Sequence, residues 1–145
     1  MLKGITHAAI RTTDIERSIK FYSSIPGVEE QFRMLNDDGS VGMIYMRIAP
    51  GQYIEIFPKA SGPHHVVEEA GLLHICLEVD DINEMYRLVK EAGIEPNMEP
   101  LLAIDYTWQF WIKDPDGIPI EFHQFTPESL QKQEGKPSPW INSNR

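Results

Sequence analysis

The chain has 145 residues, 41% of them hydrophobic, and a formal net charge of −9 from 13 basic and 22 acidic side chains. This length allows one ordinary domain or two half-domains that share a core. No apolar run approaches the ~20 residues of a membrane span, no signal peptide is recognisable, and no dense basic cluster predicts nucleic-acid binding. The single cysteine, Cys76, excludes an intramolecular disulfide framework and favours a reducing compartment, so we expect a cytoplasmic protein.

Two stretches of the sequence match each other. Residues 5–15 and 72–82 each contain a histidine, His7 and His74, that is followed seven residues later by an aspartate. A repeat of this size predicts two copies of one structural unit rather than a single continuous pattern.

Both halves also end alike. Glu55 lies 48 residues after His7, and Glu121 lies 47 residues after His74. We therefore predict a single domain over 1–125 that is built from two modules and followed by an extension. The predicted boundaries are module one over 3–58, a linker over 59–71, module two over 72–125 and a C-terminal extension over 126–145.

Each module is predicted to fold as βαβββ, which places the protein in the α+β class. Alternating apolar residues predict an opening strand in each module, at 5–11 and 73–79. Helix starts follow, at the capping-box spacing Thr13-x-x-Glu16 and at Asp81, and Gly27 and Gly93 are the expected stops. The remaining predicted strands cover 28–35, 41–48, 52–58, 94–99, 106–113 and 118–125.

Strand alternation assigns the polar side chains to one face of this sheet. His7 and Glu55 have the parity opposite to their apolar neighbours, and the same holds for His74 and Glu121. A face that carries two imidazoles and two carboxylates is not needed for stability under a helix. Curled around a cavity, it would offer a first shell for a divalent metal such as Zn, Ni, Co, Mn or Fe(II).

These residues resemble the vicinal oxygen chelate superfamily, which includes glyoxalase I, bleomycin-resistance proteins and extradiol dioxygenases. The resemblance covers residues 3–125 and includes the stretch Asp114-Pro-Asp-Gly-Ile-Pro-Ile-Glu121. It implies an open, curved, barrel-like eight-stranded sheet around a metal-binding cavity and a site often completed across a homodimer interface. The metal ligands that it implies are His7, Glu55, His74 and Glu121.

Two histidines with two glutamates are most similar to bacterial-type glyoxalase I (lactoylglutathione lyase). The resemblance implies a lyase or isomerase that transfers a proton alpha to a carbonyl through a metal-stabilised enediolate, with Glu121 as general base and Glu55 as its partner. Arg11 matches an arginine that binds a glutathione carboxylate. Lys59 stands where glyoxalase I has an asparagine, so glutathione as co-substrate is left open.

Other interpretations remain at this stage. Trp111 and His123 are candidate substrate contacts, and Arg11 could instead neutralise Glu78 on an adjacent strand. A metal-dependent epimerase or dioxygenase of the same superfamily would use a related site. A non-catalytic small-molecule binding or resistance protein would use the same cavity without a metal.

Overall fold

The computed structural model describes residues 3–65 and 71–132. The elements follow in chain order: β1 (His7–Arg11), α1 (Ile15–Ser24), β2 (Glu29–Leu35), β3 (Val41–Ala49), β4 (Gln52–Phe57), β5 (Ile75–Glu78), α2 (Ile82–Glu91), β6 (Leu101–Leu102), β7 (Thr107–Lys113), β8 (Pro119–Phe125) and a 3₁₀ helix at Leu130–Lys132. This order is βαβββ twice, so the prediction of an α+β fold with two such modules is confirmed. Within the described ranges, no helix has the length and apolar character needed to cross a membrane.

Each module forms its own four-stranded mixed sheet. The strand order is β1-β4-β3-β2 in the first sheet and β5-β8-β7-β6 in the second. In both sheets the opening strand of the module pairs in parallel with its closing strand, β1 with β4 and β5 with β8. The closing glutamate therefore lies next to the opening strand.

The chain divides into two compact units. The first runs to Leu73 and also includes the segment Lys113–Ile118, and the second comprises His74–Ile112 and the chain from Pro119 onward. The turn between β7 and β8 is thus packed within the first unit. Residues 66–70 of the predicted linker and 133–145 of the predicted extension lie outside the described residues.

The apolar rows of both modules are buried as strand alternation predicts. In the first unit Ile54 and Ile56 of β4 are fully buried, and between them Glu55 keeps part of its surface exposed. Burial of one such aliphatic side chain contributes about 1.5–3 kcal/mol, so these rows define which face each sheet turns inward. The largest fully buried side chains are Tyr22, Ile25, Ile44, Met46, Ile54 and Ile56 in the first unit, and Ile82, Val89, Phe110, Ile112, Phe122 and Ile120 in the second.

The predicted N-cap of α1 is wrong, whereas its predicted position in the chain is close to the observed one. The N-cap of α1 is Asp14, whose carboxylate accepts a hydrogen bond from Arg17 N at 3.1 Å, so the predicted capping box from Thr13 does not form. The predicted cap of α2 is confirmed, because Asp81 accepts from the backbone N–H groups of the first turn. The predicted stop at Gly93 is also confirmed, since Gly93 follows the C-cap with a φ of 81° that favours glycine.

The predicted strand over 94–99 is also wrong. Strand β6 is only Leu101–Leu102, and it pairs with β7. Pro96 lies within the predicted strand and Pro100 directly follows it, and neither can donate a backbone hydrogen bond to a neighbouring strand. One backbone bond still ties this segment to β7, from Asn97 N to Trp111 O at 2.7 Å.

The turn between β7 and β8 is fixed to the start of α1 by a buried carboxylate. Asp116 accepts hydrogen bonds from the hydroxyls of Thr12 and Thr13, from Thr13 N at 3.2 Å and from Arg17 Nη2 at 2.9 Å. Burial acts to raise the pKa of Asp116, but the hydrogen bonds from Thr12 and Thr13 and the charge of Arg17 outweigh it and hold the pKa below its ordinary value. The ionised carboxylate is therefore a stabilising part of this unit.

Asp114 supports the same turn from inside. Its carboxylate accepts from the Tyr22 hydroxyl at 3.0 Å and from the backbone N–H groups of Asp116 and Ile118 at 2.9 and 2.8 Å. Burial nevertheless raises the pKa of Asp114 above its ordinary value. The folded-state pKa values of the two aspartates in this turn are therefore shifted in opposite directions.

We expect Asp116→Asn to lower the free energy of unfolding by about 1.5–3 kcal/mol at pH 7, because the amide loses charge-assisted acceptor capacity for several donors. Asp116 has a lowered pKa in the folded state, so its contribution is complete above the unfolded-state pKa of about 4. That contribution is lost as the pH falls through the folded-state pKa. Urea denaturation followed by circular dichroism at pH 7 and pH 3 measures the effect.

The matched control for this experiment is Asp80→Asn, which changes an exposed aspartate. We expect the control to remain within about 0.5 kcal/mol of the wild type at both pH values. A loss of stability in Asp116→Asn that is equally large at pH 3 would contradict the assignment of the effect to the ionised carboxylate.

Candidate functional site

The first module brings His7 and Glu55 together on the exposed face of its sheet. In the parallel pairing of β1 and β4, Glu55 is the register partner of Ala9, two residues after His7. The carboxylate reaches back along the strand, so that His7 Nε2 lies 3.6 Å from Glu55 Oε2. The side chain of Glu55 is only 13% exposed and that of His7 40%, which leaves the imidazole open on one side.

The other ring nitrogen of His7 is engaged within the same strand region. His7 Nδ1 lies 3.3 Å from the hydroxyl of Thr6. A hydrogen on Nδ1 would leave the lone pair of Nε2 facing Glu55, and this is the tautomer that a metal-binding imidazole needs.

Tyr45 is a neighbour of the first pair that the sequence analysis did not identify. It is the register partner of Glu55 across β3 and β4. Desolvation, followed by the interaction of its hydroxyl with the Glu55 carboxylate, raises the pKa of Tyr45 above its ordinary value. The edge of its ring also packs against His7 at 5.6 Å. Because the register shifts between Arg47 and Ala49, counting residues back from the turn after β3 would not have paired Tyr45 with Glu55.

The second module repeats the pair with His74 and Glu121. His74 Nε2 lies 3.3 Å from Glu121 Oε2, and the exposed fractions of the two side chains are 37% and 11%. Trp111 packs its ring against the imidazole of His74 at 4.8 Å, while its indole N–H donates to Gln109 at 3.0 Å. Trp111 therefore lies beside the second pair and orients its histidine.

His123 lies on the other side of the same carboxylate. His123 Nδ1 is 3.7 Å from Glu121 Oε1, so the two oxygens of Glu121 face two different imidazoles. His123 is only 8% exposed, and its Nε2 has no hydrogen-bond partner within the described ranges. A buried imidazole nitrogen without a partner is uncommon in folded proteins and marks a site of functional interest.

Cys76 completes the surroundings of Glu121. It is the register partner of Glu121 across β5 and β8, and its sulfur lies within 4.8 Å of a ligand atom of that carboxylate. Desolvation of the sulfur, together with the negative charges of Glu121, Glu78 and Asp105, raises the pKa of Cys76 to about 12. In the absence of a cation, Cys76 is therefore a protonated thiol and not a nucleophile.

The two predicted cationic substrate contacts lie near the end of the first sheet. Arg11 is exposed, donates to Pro58 O at 3.1 Å and lies over the ring of Phe57 at 5.8 Å. Lys59 has a φ of 68° and borders an open surface pocket with residues 35–38. Hydrogen bonds from Ser40, and to a smaller extent the charge of Lys59, lower the pKa of Asp38 in this pocket. Arg11 is thus held beside the closing strand that carries Glu55, while Lys59 points to a different part of the first unit.

The donor chemistry of the two pairs fits a divalent metal. Each module places an imidazole Nε2 within 3.6 Å of a carboxylate Oε2, and both histidines retain exposure of 37% or more. Nitrogen and oxygen donors of this kind suit Zn, Ni, Co, Mn and Fe(II). Neither pair contributes to the apolar core of its unit, so packing does not account for its presence.

Comparison with known proteins gives a consistent result over most of the chain. The sequence model of the Glyoxalase/Bleomycin resistance protein/Dioxygenase superfamily matches residues 4–122. The uncharacterized protein YwbC of Bacillus subtilis (strain 168) is 28% identical over 125 residues, which are 86% of this chain and 99% of that protein.

Solved structures share the fold. The glyoxalase family protein from Enterococcus faecalis superposes with a TM-score of 0.70 at 25% identity, over 83% of this chain and 97% of that chain. A lactoylglutathione lyase from Agrobacterium tumefaciens superposes with a TM-score of 0.62 at 19% identity, over 85% of this chain and 94% of that chain. At 19% identity the second likeness shows the fold alone.

Proposed function

The chain belongs to the Glyoxalase/Bleomycin resistance protein/Dioxygenase superfamily, and from that premise we propose that it is a metal-dependent, glyoxalase I-like lyase or isomerase of a small α-oxygenated substrate. The observation that carries the proposal is the repeated pair of an imidazole and a carboxylate, His7 with Glu55 and His74 with Glu121. The fold that the chain shares with a lactoylglutathione lyase is compatible with this reaction class.

The proposed metal ligands are the four members of these pairs, His7, Glu55, His74 and Glu121. When bound, a divalent ion would polarise the oxygens of the substrate and make the neighbouring carbon more acidic. In the first module, Tyr45 lies beside Glu55 as its register partner on β3. In the second module, the ring of Trp111 supports the imidazole of His74.

Glu121 is the proposed general base, and Glu55 is its partner. Glu121 is the more completely enclosed carboxylate, since one oxygen lies 3.3 Å from His74 and the other 3.7 Å from His123. Such a carboxylate is held ready to remove a proton from the carbon next to a carbonyl and return it to the adjacent carbon. His123 lies close enough to hold or relay that proton.

The proposed substrate contacts are Arg11, Lys59, Trp111 and His123. Arg11 is exposed near the end of β1 and carries a guanidinium suited to a carboxylate. A glutathione conjugate is one substrate that would present such a carboxylate, so glutathione as co-substrate is part of this proposal. Turnover of a hemithioacetal that depends on glutathione and on Arg11 would support it.

Metal content tests the proposed ligands directly. We expect wild-type protein, reconstituted with Ni, Co, Mn or Zn and then desalted, to retain close to one ion per proposed site. His7→Ala, Glu55→Gln and His74→Ala should each retain much less, because each removes one of four ligands. Plasma mass spectrometry of the desalted protein gives the metal-to-protein ratio.

Matched controls for these variants are His65→Ala and Glu128→Gln, which change exposed side chains of the same types. Both should retain metal like the wild type. If the wild-type protein retained clearly less than one ion per site with each of Ni, Co, Mn and Zn, the metal-dependent proposal would be refuted.

Activity separates the general base from the other ligands. We expect Glu121→Gln to lower kcat by about 10²–10⁴-fold, because the amide cannot accept the proton. The readout is exchange of the substrate's carbon-bound hydrogen with deuterated solvent, followed by nuclear magnetic resonance with metal content measured in parallel. Exchange at the wild-type rate in a metal-loaded Glu121→Gln protein would exclude Glu121 as the base.

A second candidate function is small-molecule binding without catalysis. The observation that favours it is an aromatic group beside the first pair, in which Phe32 stacks on Tyr45 at 4.7 Å and Tyr53 contacts Tyr45 at 5.6 Å. Aromatic faces of this kind suit a planar ligand, and a cationic one in an acidic protein. Ligand binding that is retained in Glu55→Ala, together with the absence of bound metal, would favour this candidate.

A dioxygenase of the superfamily would instead consume oxygen when it is supplied with catechols.

We also propose that the protein forms a homodimer. Strand β2 lies at one end of the strand order of its sheet and exposes three large apolar side chains, Phe32 at 46%, Met34 at 57% and Leu35 at 58%. Exposed apolar side chains on such a strand favour contact with another chain. Sedimentation velocity at micromolar concentration should give the mass of a dimer, and Met34→Lys should shift it toward the monomer. A monomeric wild type would contradict the proposal.

A further inference from the structure

The second module carries a group of metal-ligand side chains that the first module lacks. Cys76, Glu121 and His123 each offer a ligand atom, and these atoms lie within 4.8 Å of one another. Ala9 stands two residues after His7 as Cys76 stands two residues after His74, and Phe57 stands two residues after Glu55 as His123 stands after Glu121. The repeat alone therefore does not account for the thiol and the second imidazole.

The group is assembled on two paired strands within the second unit. Cys76 on β5 is the register partner of Glu121 on β8, and His123 follows two residues later on the same face. Because both strands belong to one sheet, the three side chains are held at fixed spacing by backbone hydrogen bonds. Glu121 Oε1 faces His123, whereas Oε2 faces His74, so the carboxylate has an oxygen available to this group.

A further observation indicates a cation. His123 is only 8% exposed, yet its Nε2 has no hydrogen-bond partner in the described part of the chain. A buried imidazole without a partner would gain one through rearrangement around an ion held with Cys76 and Glu121.

We propose that Cys76, Glu121 and His123 bind a thiophilic divalent cation of the Zn²⁺ type, at a site distinct from the four-ligand site and sharing only Glu121 with it. One thiolate, one imidazole and one carboxylate are ligands that Zn²⁺ accepts, and water fills the fourth position. The thiol of Cys76 releases its proton to solvent as the sulfur–metal bond forms. The protein atoms need only a small contraction, because the ligand atoms already lie within 4.8 Å.

This site has a regulatory consequence. An ion held by Cys76 and His123 would engage the carboxylate of Glu121 and withhold it from proton transfer. Excess Cd²⁺ would then inhibit the enzyme after it has been activated with a harder metal such as Mn²⁺. Only this consequence rests on the proposed function, whereas the binding itself requires no catalytic activity.

Cobalt spectroscopy tests the binding. Purified protein with reduced Cys76 is stripped with a chelator and titrated with Co²⁺, and thiolate-to-cobalt charge-transfer absorption in the near ultraviolet is recorded. We expect this absorption in the wild type and its loss in Cys76→Ala. His123→Phe should weaken the Cd²⁺ affinity, measured by competition with Co²⁺, at least about tenfold. These two substitutions install the residues that the first module carries at the matching positions.

The matched control is Glu55→Gln, which alters the equivalent carboxylate of the first module and should keep the charge-transfer absorption. Circular dichroism of each variant verifies that it is folded. Absence of the absorption in the wild type at saturating Co²⁺ would overturn the proposal, and so would its persistence in Cys76→Ala.

The inhibitory consequence has a separate readout. The ratio of activity with and without Cd²⁺ should be lower in the wild type than in Cys76→Ala, and equal ratios would exclude inhibition through this site. If no substrate or metal gives turnover, the proposed function fails while the cobalt spectra still decide whether the site exists.

Discussion

Parallel pairing between the first and last strand of each module is the constraint on which the rest of the site depends. A parallel register brings the closing glutamate beside the opening strand, opposite Ala9 in one module and Cys76 in the other. A shift of one residue would turn each glutamate toward the helix side and bring an isoleucine or phenylalanine to the exposed face. The buried rows on either side of Glu55 prevent such a shift, because it would expose Ile54 and Ile56, both fully buried. Core packing therefore fixes the geometry of a pair that itself adds nothing to the core.

The two acidic side chains of the β7–β8 turn illustrate how buried charge is accommodated elsewhere in the first unit. Asp116 is surrounded by donors from Thr12, Thr13 and Arg17, and the ionised form is favoured. Glu55 and Glu121 have far fewer donors, since their nearest partners include imidazoles that carry a charge only when protonated. A carboxylate that lacks compensating donors is a better ligand for a cation and a better base than one that is fully hydrogen-bonded. The contrast between the turn and the two pairs therefore separates structural acids from candidate functional ones.

Features that depend on the periodicity of apolar residues could be predicted from the sequence. Features for which two nearby residues or two backbone conformations compete could not. Alternation assigned His7, Glu55, His74 and Glu121 to the face opposite the apolar rows, because successive residues of a strand point to opposite sides. The predicted cap of α1 is wrong because Thr13 and Asp14 both have side chains that can cap a helix. Asp116, which is distant in sequence, accepts a hydrogen bond from the Thr13 hydroxyl, and Asp14 caps the helix instead. The predicted strand over 94–99 is wrong because Pro96 within it and Pro100 after it have no backbone N–H to donate to a neighbouring strand. Tyr45 was missed because its partnership with Glu55 depends on a register across a turn with an irregularity between Arg47 and Ala49.

The difference between the two modules fits the proposed division of roles between the two glutamates. The phenol of Tyr45 lies beside Glu55, and desolvation raises its pKa, so that the proton stays on the tyrosine at neutral pH. Glu55 thus has a phenol as its neighbour, which does not exchange its proton at neutral pH. Glu121 instead lies between His74 and His123, and an imidazole can both accept and donate a proton. A base that must gain and release a proton in each turnover benefits from such a neighbour, whereas a permanent ligand does not. The same argument explains why capture of His123 and Cys76 by a thiophilic ion would affect Glu121 and leave Glu55 unchanged.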